Sequence, residues 1–158
     1  MISQFCKWLD ATPLSQAFQE WVWFVPTVQT VHILCIAVVM TSVGMLDFKM
    51  LGLAGRNQPL AAMVAYFMPW IWSALALLLV TGTLLTITEP SRELLNNAFR
   101  AKMLMVSVVA VLLRIVQQRL RGDPNYWSAR RASARAIGAI SLVLVVTIVV
   151  AGRWIAYI

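Results

Sequence analysis

Acidic residues are scarce in this chain, six among 158, and histidine occurs once. So few acids leave no paired carboxylates for general acid–base work, and no nucleophile stands beside a base. No glycine-rich phosphate loop is present either, so the sequence does not support an enzyme. Two cysteines, Cys6 near the N-terminus and Cys35 deep in an apolar run, exclude a disulfide framework. Cys6 is expected near the surface, out of bridging range of Cys35. The absence of Cys-x-x-Cys-His and of metal-finger spacing removes a covalently attached c-type haem and a structural zinc site. Residues 1–13 lack an apolar stretch and do not read as a cleavable signal.

What the chain has in abundance is apolar surface. Hydrophobic residues make up 61% of it and the mean hydropathy is +0.79, which excludes an ordinary soluble domain. Four apolar runs, 22–46, 60–88, 99–116 and 136–158, each reach or approach the ~20 residues a helix needs to cross hydrocarbon. The connections between them are too short for a catalytic module. The expected fold is a single all-α domain, an integral membrane up-and-down four-helix bundle preceded by an interfacial segment over 1–20. There Ile2, Phe5, Cys6 and Leu9 share a helical face beside Trp8. Thr12 and Pro13 form an N-cap and first-position pair that opens a second short helix toward Glu20.

The net charge of +7 is placed asymmetrically. Lys49, Arg56, Arg119, Arg121, Arg130, Arg131 and Arg135 fall in the first and third connections. Lys7, Arg92, Arg100 and Arg153 share the other side with Asp10, Glu20, Glu89 and Glu93. The excess of cations predicts that both termini face the outside, the periplasm in a Gram-negative bacterium, with the connections near 47–58 and 117–135 cytoplasmic. Arginines flanking spans attract anionic headgroups, so the basic balance points to the lipid bilayer and not to nucleic acid. Trp21, Trp23, Trp154 and Tyr157 read as an outer aromatic belt, and Phe48, Tyr126 and Trp127 as an inner one.

The first run carries the most chemistry. At helical spacing Gln29, His32, Ile36, Val39, Val43 and Asp47 fall in a stripe about 80° wide. A stripe that is polar at both ends should face the bundle interior. His32 lies about 15 Å from the outer end of that run by helical rise. It is either an axial ligand to a b-type haem, and so the candidate metal ligand, or a histidine hydrogen-bonded to a neighbouring span. Its being the lone histidine leaves the opposite haem ligand to a methionine such as Met68, Met103 or Met105, to a lysine, to a second protomer, or to no residue. Pro69 interrupts the second run, where Trp70 and Trp72 either line a cofactor or pack. Gly82 admits a close neighbour. Lys102 opens the third run and either snorkels outward or meets an anionic group. Arg114 lies at a depth similar to Asp47, which predicts an ion pair between them. Gly138, Ser141, Val145, Ile148 and Gly152 form a small-residue seam, and Arg153 beside it anchors the outer end.

Several of these residues recur together. Pro26-x-x-Gln29-x-x-His32, Leu46-Asp47-Phe48-Lys49-Met50-Leu51-Gly52, Pro69-Trp70, Phe99-x-x-Lys102 and Ala151-Gly152-Arg153-Trp154-Ile155-Ala156 resemble a family of small bacterial inner-membrane proteins known as a domain of unknown function. Its usual form after the first span is Asp-Leu-Arg-Leu-Leu-Gly, and Lys49 here keeps the cation. More distantly, the chain is similar to haem-containing four-helix membrane proteins, among them copper-resistance D-type proteins and small membrane protoporphyrinogen oxidases. That similarity implies haem b or a redox role at His32, with Lys102 as a helper. On this reading Gln29 orients the cofactor, Trp70 and Trp72 pack it, and Lys102 or Arg153 meets its propionates. The expected function is a redox-associated membrane subunit that holds haem b or anchors an electron-transfer partner. The alternatives are a cofactor-free accessory subunit of a larger complex or a homo-oligomer and, less well supported, a small-solute transporter or channel.

Overall fold

In the computed structural model, residues 2–55, 57–90, 94 and 96–155 are described, excepting the side chains of 2, 3, 5, 10, 14 and 153–155. Within them the chain is all-helical. Two short helices, α1 (Ile2–Asp10) and α2 (Pro13–Glu20), precede α3 (Phe24–Leu51), α4 (Leu60–Thr88) and α5 (Asn97–Gly122). A single turn, α6 (Tyr126–Ala129), then leads into α7 (Arg131–Ile155). Three helices are long and apolar enough to cross a membrane: Phe24–Leu51, Leu60–Thr88 and Arg131–Gly152. The remaining expected span, 99–116, lies inside α5, whose apolar stretch is shorter. Its uncharged run between Lys102 and Arg114 covers about 16 Å by helical rise, half the hydrocarbon thickness.

The helix ends follow local chemistry. Thr12 caps α2, its hydroxyl accepting from the Ser15 amide, and Pro13 occupies the first turn as expected. Asn96 caps α5 by accepting from the Ala98 amide. Gly52 ends α3 at φ 82°, a left-handed conformation that glycine adopts without a Cβ clash. Lys49 Nζ reaches forward to the Gly55 carbonyl and pins the connection to α4. Pro69 stands inside α4, which continues through it; proline has no N–H to donate to the Ala65 carbonyl.

The long helices form a bundle in which α3 and α7 are the central pair. α4 packs on the outer side of α3 and α5 on the outer side of α7, and α4 and α5 barely touch. The core is Val43, Leu46, Met68, Ile71, Leu113 and Val145 with their neighbours. The start of α3 lies with the end of α4, where His32 meets Thr81. The start of α7 lies against the end of α3, where Gly138 meets Asp47. Neighbouring helices are thus antiparallel, with α1 and α2 at one end of the bundle and the arginines of 119–135 at the other.

Both N-terminal helices dock on the end of α4. Ser15, wholly buried, donates its hydroxyl to the Ile87 carbonyl at 2.9 Å, and Gln19 Nε2 donates to the Thr88 carbonyl at 2.8 Å. Cys6 Sγ reaches the Pro90 carbonyl at 3.6 Å. The last carbonyls of a helix have no partner within it, and α2 supplies partners to α4. Cys6 is therefore fully buried and not at the surface as expected; the cavity it fills is made by tertiary docking, which its local pattern does not register. Cys6 and Cys35 are both free thiols.

Candidate functional site

His32 sits on α3 one turn after Gln29, half-buried against α4. Its Nδ1 lies 2.7 Å from Thr81 Oγ1. The Thr81 hydroxyl itself donates back to the Leu77 carbonyl at 2.7 Å, the usual arrangement for threonine within a helix. A hydroxyl has one proton to give. In the tautomer that carries its proton on Nδ1, Thr81 accepts from the ring and the Nε2 lone pair stays outside that contact. Gly82 makes room for this: a Cβ there would stand 3.5 Å from His32 Cε1. What approaches Gly82 closely is thus an imidazole and not a helix backbone.

Lys102 comes to the same end of the bundle from α5. Its ammonium lies 3.2 Å from where a Cβ on Gly152 of α7 would be, and it interacts electrostatically with the His32 ring. Gly152 is small where the lysine needs space. Three helices, α3, α5 and α7, and the end of α4 thus contribute to one region built around His32, Thr81, Gly82, Lys102 and Gly152. The side chain of Arg153 lies outside the described residues, as do Arg92, Glu93, Tyr157 and the side chain of Trp154.

Other sequence candidates are placed elsewhere. Gln29 is exposed, one turn toward the start of α3 from His32. Trp70 is 59% exposed, and Trp72 donates from Nε1 to Gln117 on α5 at 3.4 Å. They precede Thr81 by eleven and nine residues in α4, about 17 and 14 Å by helical rise. The tryptophans are not brought to the imidazole. Met68 is buried in the core, while Met103 is exposed.

The other half of the stripe is buried as the spacing predicts, with Val43 and Asp47 enclosed. The expected Asp47–Arg114 ion pair does not form. Arg114 is exposed and donates to Gln117 at 3.4 Å on its own helix, while Asp47 faces Ser141 on α7. The reason is the order of helices, because α7 stands between α3 and α5. The small-residue seam does form. A Cβ on Gly138 would stand 3.0 Å from Met50 Cβ and 3.1 Å from the Asp47 carbonyl oxygen, so α3 and α7 cross here in backbone contact. This crossing leaves Asp47 Oδ2 and Ser141 Oγ buried without hydrogen-bond partners.

At the arginine-rich end, Trp21 and Trp23 have no counterpart in Trp127, which is buried in the core instead of lying in an inner belt. Its neighbour Tyr126 packs edge-on against it and receives two guanidinium groups, Arg130 at 4.3 Å and Arg119 at 5.3 Å from the ring centroid. The belt residues Trp21 and Trp23, at the other end, are exposed.

Sequence reasoning found His32, Lys102, Gly82 and the seam. It missed Thr81, although the adjoining threonine and glycine of 80–83 were in view, because nothing in one helix states which hydroxyl a second helix will meet. No curated protein and no solved structure matches the chain, so the more distant similarity to copper-resistance D-type proteins is not shown. A family of unknown function (DUF6644) matches residues 7–158, nearly the whole chain and all the residues of this site, and the chain belongs to that family.

Proposed function

We propose that this chain is a four-helix inner-membrane protein that serves as a redox-associated subunit, presenting His32 as an axial ligand to haem b near the end that carries α1 and α2. The observation that carries this reading is the 2.7 Å contact between His32 Nδ1 and Thr81 Oγ1. In the tautomer with Nδ1–H donated to Thr81, Nε2 has the lone pair and orientation control that metal-ligating imidazoles take from a hydrogen-bonded partner. The donor fits the group. Haem would supply one-electron chemistry, and this chain's residues would set its position: Thr81 fixes the ring, Gly82 leaves space at its edge, and Lys102 offers a cation toward propionates. Trp70 and Trp72 stand too far along α4 to wall such a site, so the macrocycle would lie against the outer half of the bundle or between this chain and a partner.

Absorption spectra of the detergent-solubilised protein, oxidised and reduced, test the proposal. The expected result is a Soret band that is lost in His32→Ala and displaced in Thr81→Val, which keeps the shape but removes the oxygen. A Soret band unaltered by His32→Ala would remove the histidine from the site.

A second reading rests on a separate observation, the backbone contact at Gly138. Such a rigid seam suits a cofactor-free accessory subunit that stabilises a larger membrane complex. A colourless preparation that co-purifies stoichiometrically with a larger assembly would establish that reading over the first.

A further inference from the structure

From the last turn of α5 to the first turns of α7, Arg119, Arg121, Arg130, Arg131 and Arg135 stand against one acid, Asp123. All of these arginines are exposed. Asp123 does not neutralise them, because its Oδ1 accepts from the Asn125 amide at 2.9 Å. Among the described residues no carboxylate lies within ion-pair range of any of the five.

Two of these cations are held together. Arg130 stands 4.3 Å and Arg119 5.3 Å from the centroid of the Tyr126 ring. Their guanidinium carbons therefore lie within about 10 Å of each other, a range over which cations in dilute salt still repel. The ring that carries them is fixed. Tyr126 packs edge-on against Trp127, with centroids 4.9 Å apart, and Trp127 is buried in the core. An arginine stacked on a ring keeps its N–H edges free, and it has less side-chain freedom to lose when it binds. Arg119 comes from the last turn of α5, whereas the Arg130 carbonyl accepts from the Ala134 amide at the start of α7. The start of a helix is the positive end of its dipole, and the first turn of α7 has no acid to offset it. Every nearby field thus favours an anion between the two guanidinium groups.

The level of this pair points to the source of that anion. Tyr126 packs against the end of the core, and α7 carries no charge from Ala136 to Gly152. The pair stands where apolar helix gives way to water, which in a bilayer is the level of the lipid phosphates. Arg135 is engaged elsewhere, with Nη2 3.9 Å from the Cβ position of Gly52. Arg121 and Arg131 touch no aromatic ring among the described residues.

We propose that Arg119 and Arg130, mounted on Tyr126, bind the phosphate of an anionic phospholipid headgroup from the surrounding leaflet. The chemistry recognised is a phosphodiester that brings no cation of its own, as in phosphatidylglycerol. A zwitterionic headgroup would add a third cation to a place that already holds two. The site lies at the opposite end of the bundle from His32 and involves no cofactor. It shares with the function proposed above only the placing of the helices in a bilayer.

Native mass spectrometry of the full chain in a neutral detergent, titrated with phosphatidylglycerol, phosphatidylcholine or inorganic phosphate, tests the site. The first phosphatidylglycerol should bind at least about tenfold more tightly than phosphatidylcholine. Arg119→Gln/Arg130→Gln should abolish that preference. Arg121→Gln/Arg131→Gln removes the same charge and should leave the preference within about twofold of the parent. Equal losses in the two double variants would overturn the site, because they would show attraction to charge alone. Tyr126→Leu leaves every charge in place and should reduce the preference at least about threefold. Tyr126→Phe keeps the stacking surface and should retain it; loss of the preference in Tyr126→Phe would overturn the ring as platform, even if Tyr126→Leu fails to fold. Inorganic phosphate binding as tightly as phosphatidylglycerol would overturn the lipid as the source. Equal affinity for both lipids would overturn the site and leave the bilayer placement standing, whereas a chain that stays dissolved without detergent would overturn both.

Discussion

Single side chains decide how closely the helices of this protein meet. Gly138 and Gly44 lie in long helices and differ in what surrounds them. A Cβ on Gly138 would press on the Asp47 carbonyl oxygen and Met50 Cβ, whereas at Gly44 nothing lies within 4 Å. Backbone cannot swing aside as a flexible side chain can. Gly138→Ala should therefore cost about 1–3 kcal/mol, and Gly44→Ala should be neutral or stabilise by up to about 1 kcal/mol through helix propensity. Thermal unfolding of the two variants in detergent checks the contrast, and equal effects would contradict the close crossing. Arg114 gives an opposite case. Because it is exposed and, among the described residues, bonded to Gln117 of its own helix, Arg114→Gln should change stability by less than about 0.5 kcal/mol. Exchanging Asp47 and Arg114 should disrupt folding, since it would bury a guanidinium among apolar side chains. A swap that folds as well as the parent would restore the ion-pair reading.

At the scale of elements, the N-terminal helices are a cap for α4. Ser15 and Gln19 together satisfy the carbonyls of Ile87 and Thr88, and Phe18 stacks on Phe24 at the junction with α3, with ring centroids 4.2 Å apart. Each side-chain hydrogen bond to a terminal carbonyl contributes about 1 kcal/mol net. Ser15→Ala and Gln19→Ala should each loosen this docking, and the expected signature is faster amide hydrogen exchange in α2 and the last turn of α4, with exchange in the middle of α3 unchanged. Uniform acceleration through all helices would show instead that α2 is integral to global stability. This arrangement was only half legible in the sequence. Thr12 and Pro13 announce a helix start because capping is local, while the partner of Ser15 is seventy-two residues away and no periodicity encodes it.

For the whole molecule, the separation of charge is the governing feature. The end with α6 carries exposed Arg119, Arg121, Arg130, Arg131 and Arg135 against exposed Asp123. On the proposed topology that end faces the cytoplasm. Cys6 and Cys35 are buried free thiols, so engineered surface cysteines report with little background. Gln16→Cys should react with a membrane-impermeant thiol reagent in intact spheroplasts, and Ser128→Cys only after permeabilisation; the reverse pattern would invert the proposed orientation.

The sequence by itself determined that this protein is all-helical with helices long and apolar enough to cross a membrane, because the length of apolar runs and caps such as Thr12 and Asn96 act within one helix. It also singled out His32 and the Gly138 seam, since a lone imidazole and a line of small residues stand out against an apolar background. Which helices become neighbours was decided only by tertiary structure. The placing of α7 between α3 and α5 gave Asp47 a serine in place of an arginine, and α4 against α3 gave His32 a threonine. Pairings of that kind depend on how whole faces fit together, and apolar faces of similar composition can be matched in several ways until the backbone contacts at the glycines select one.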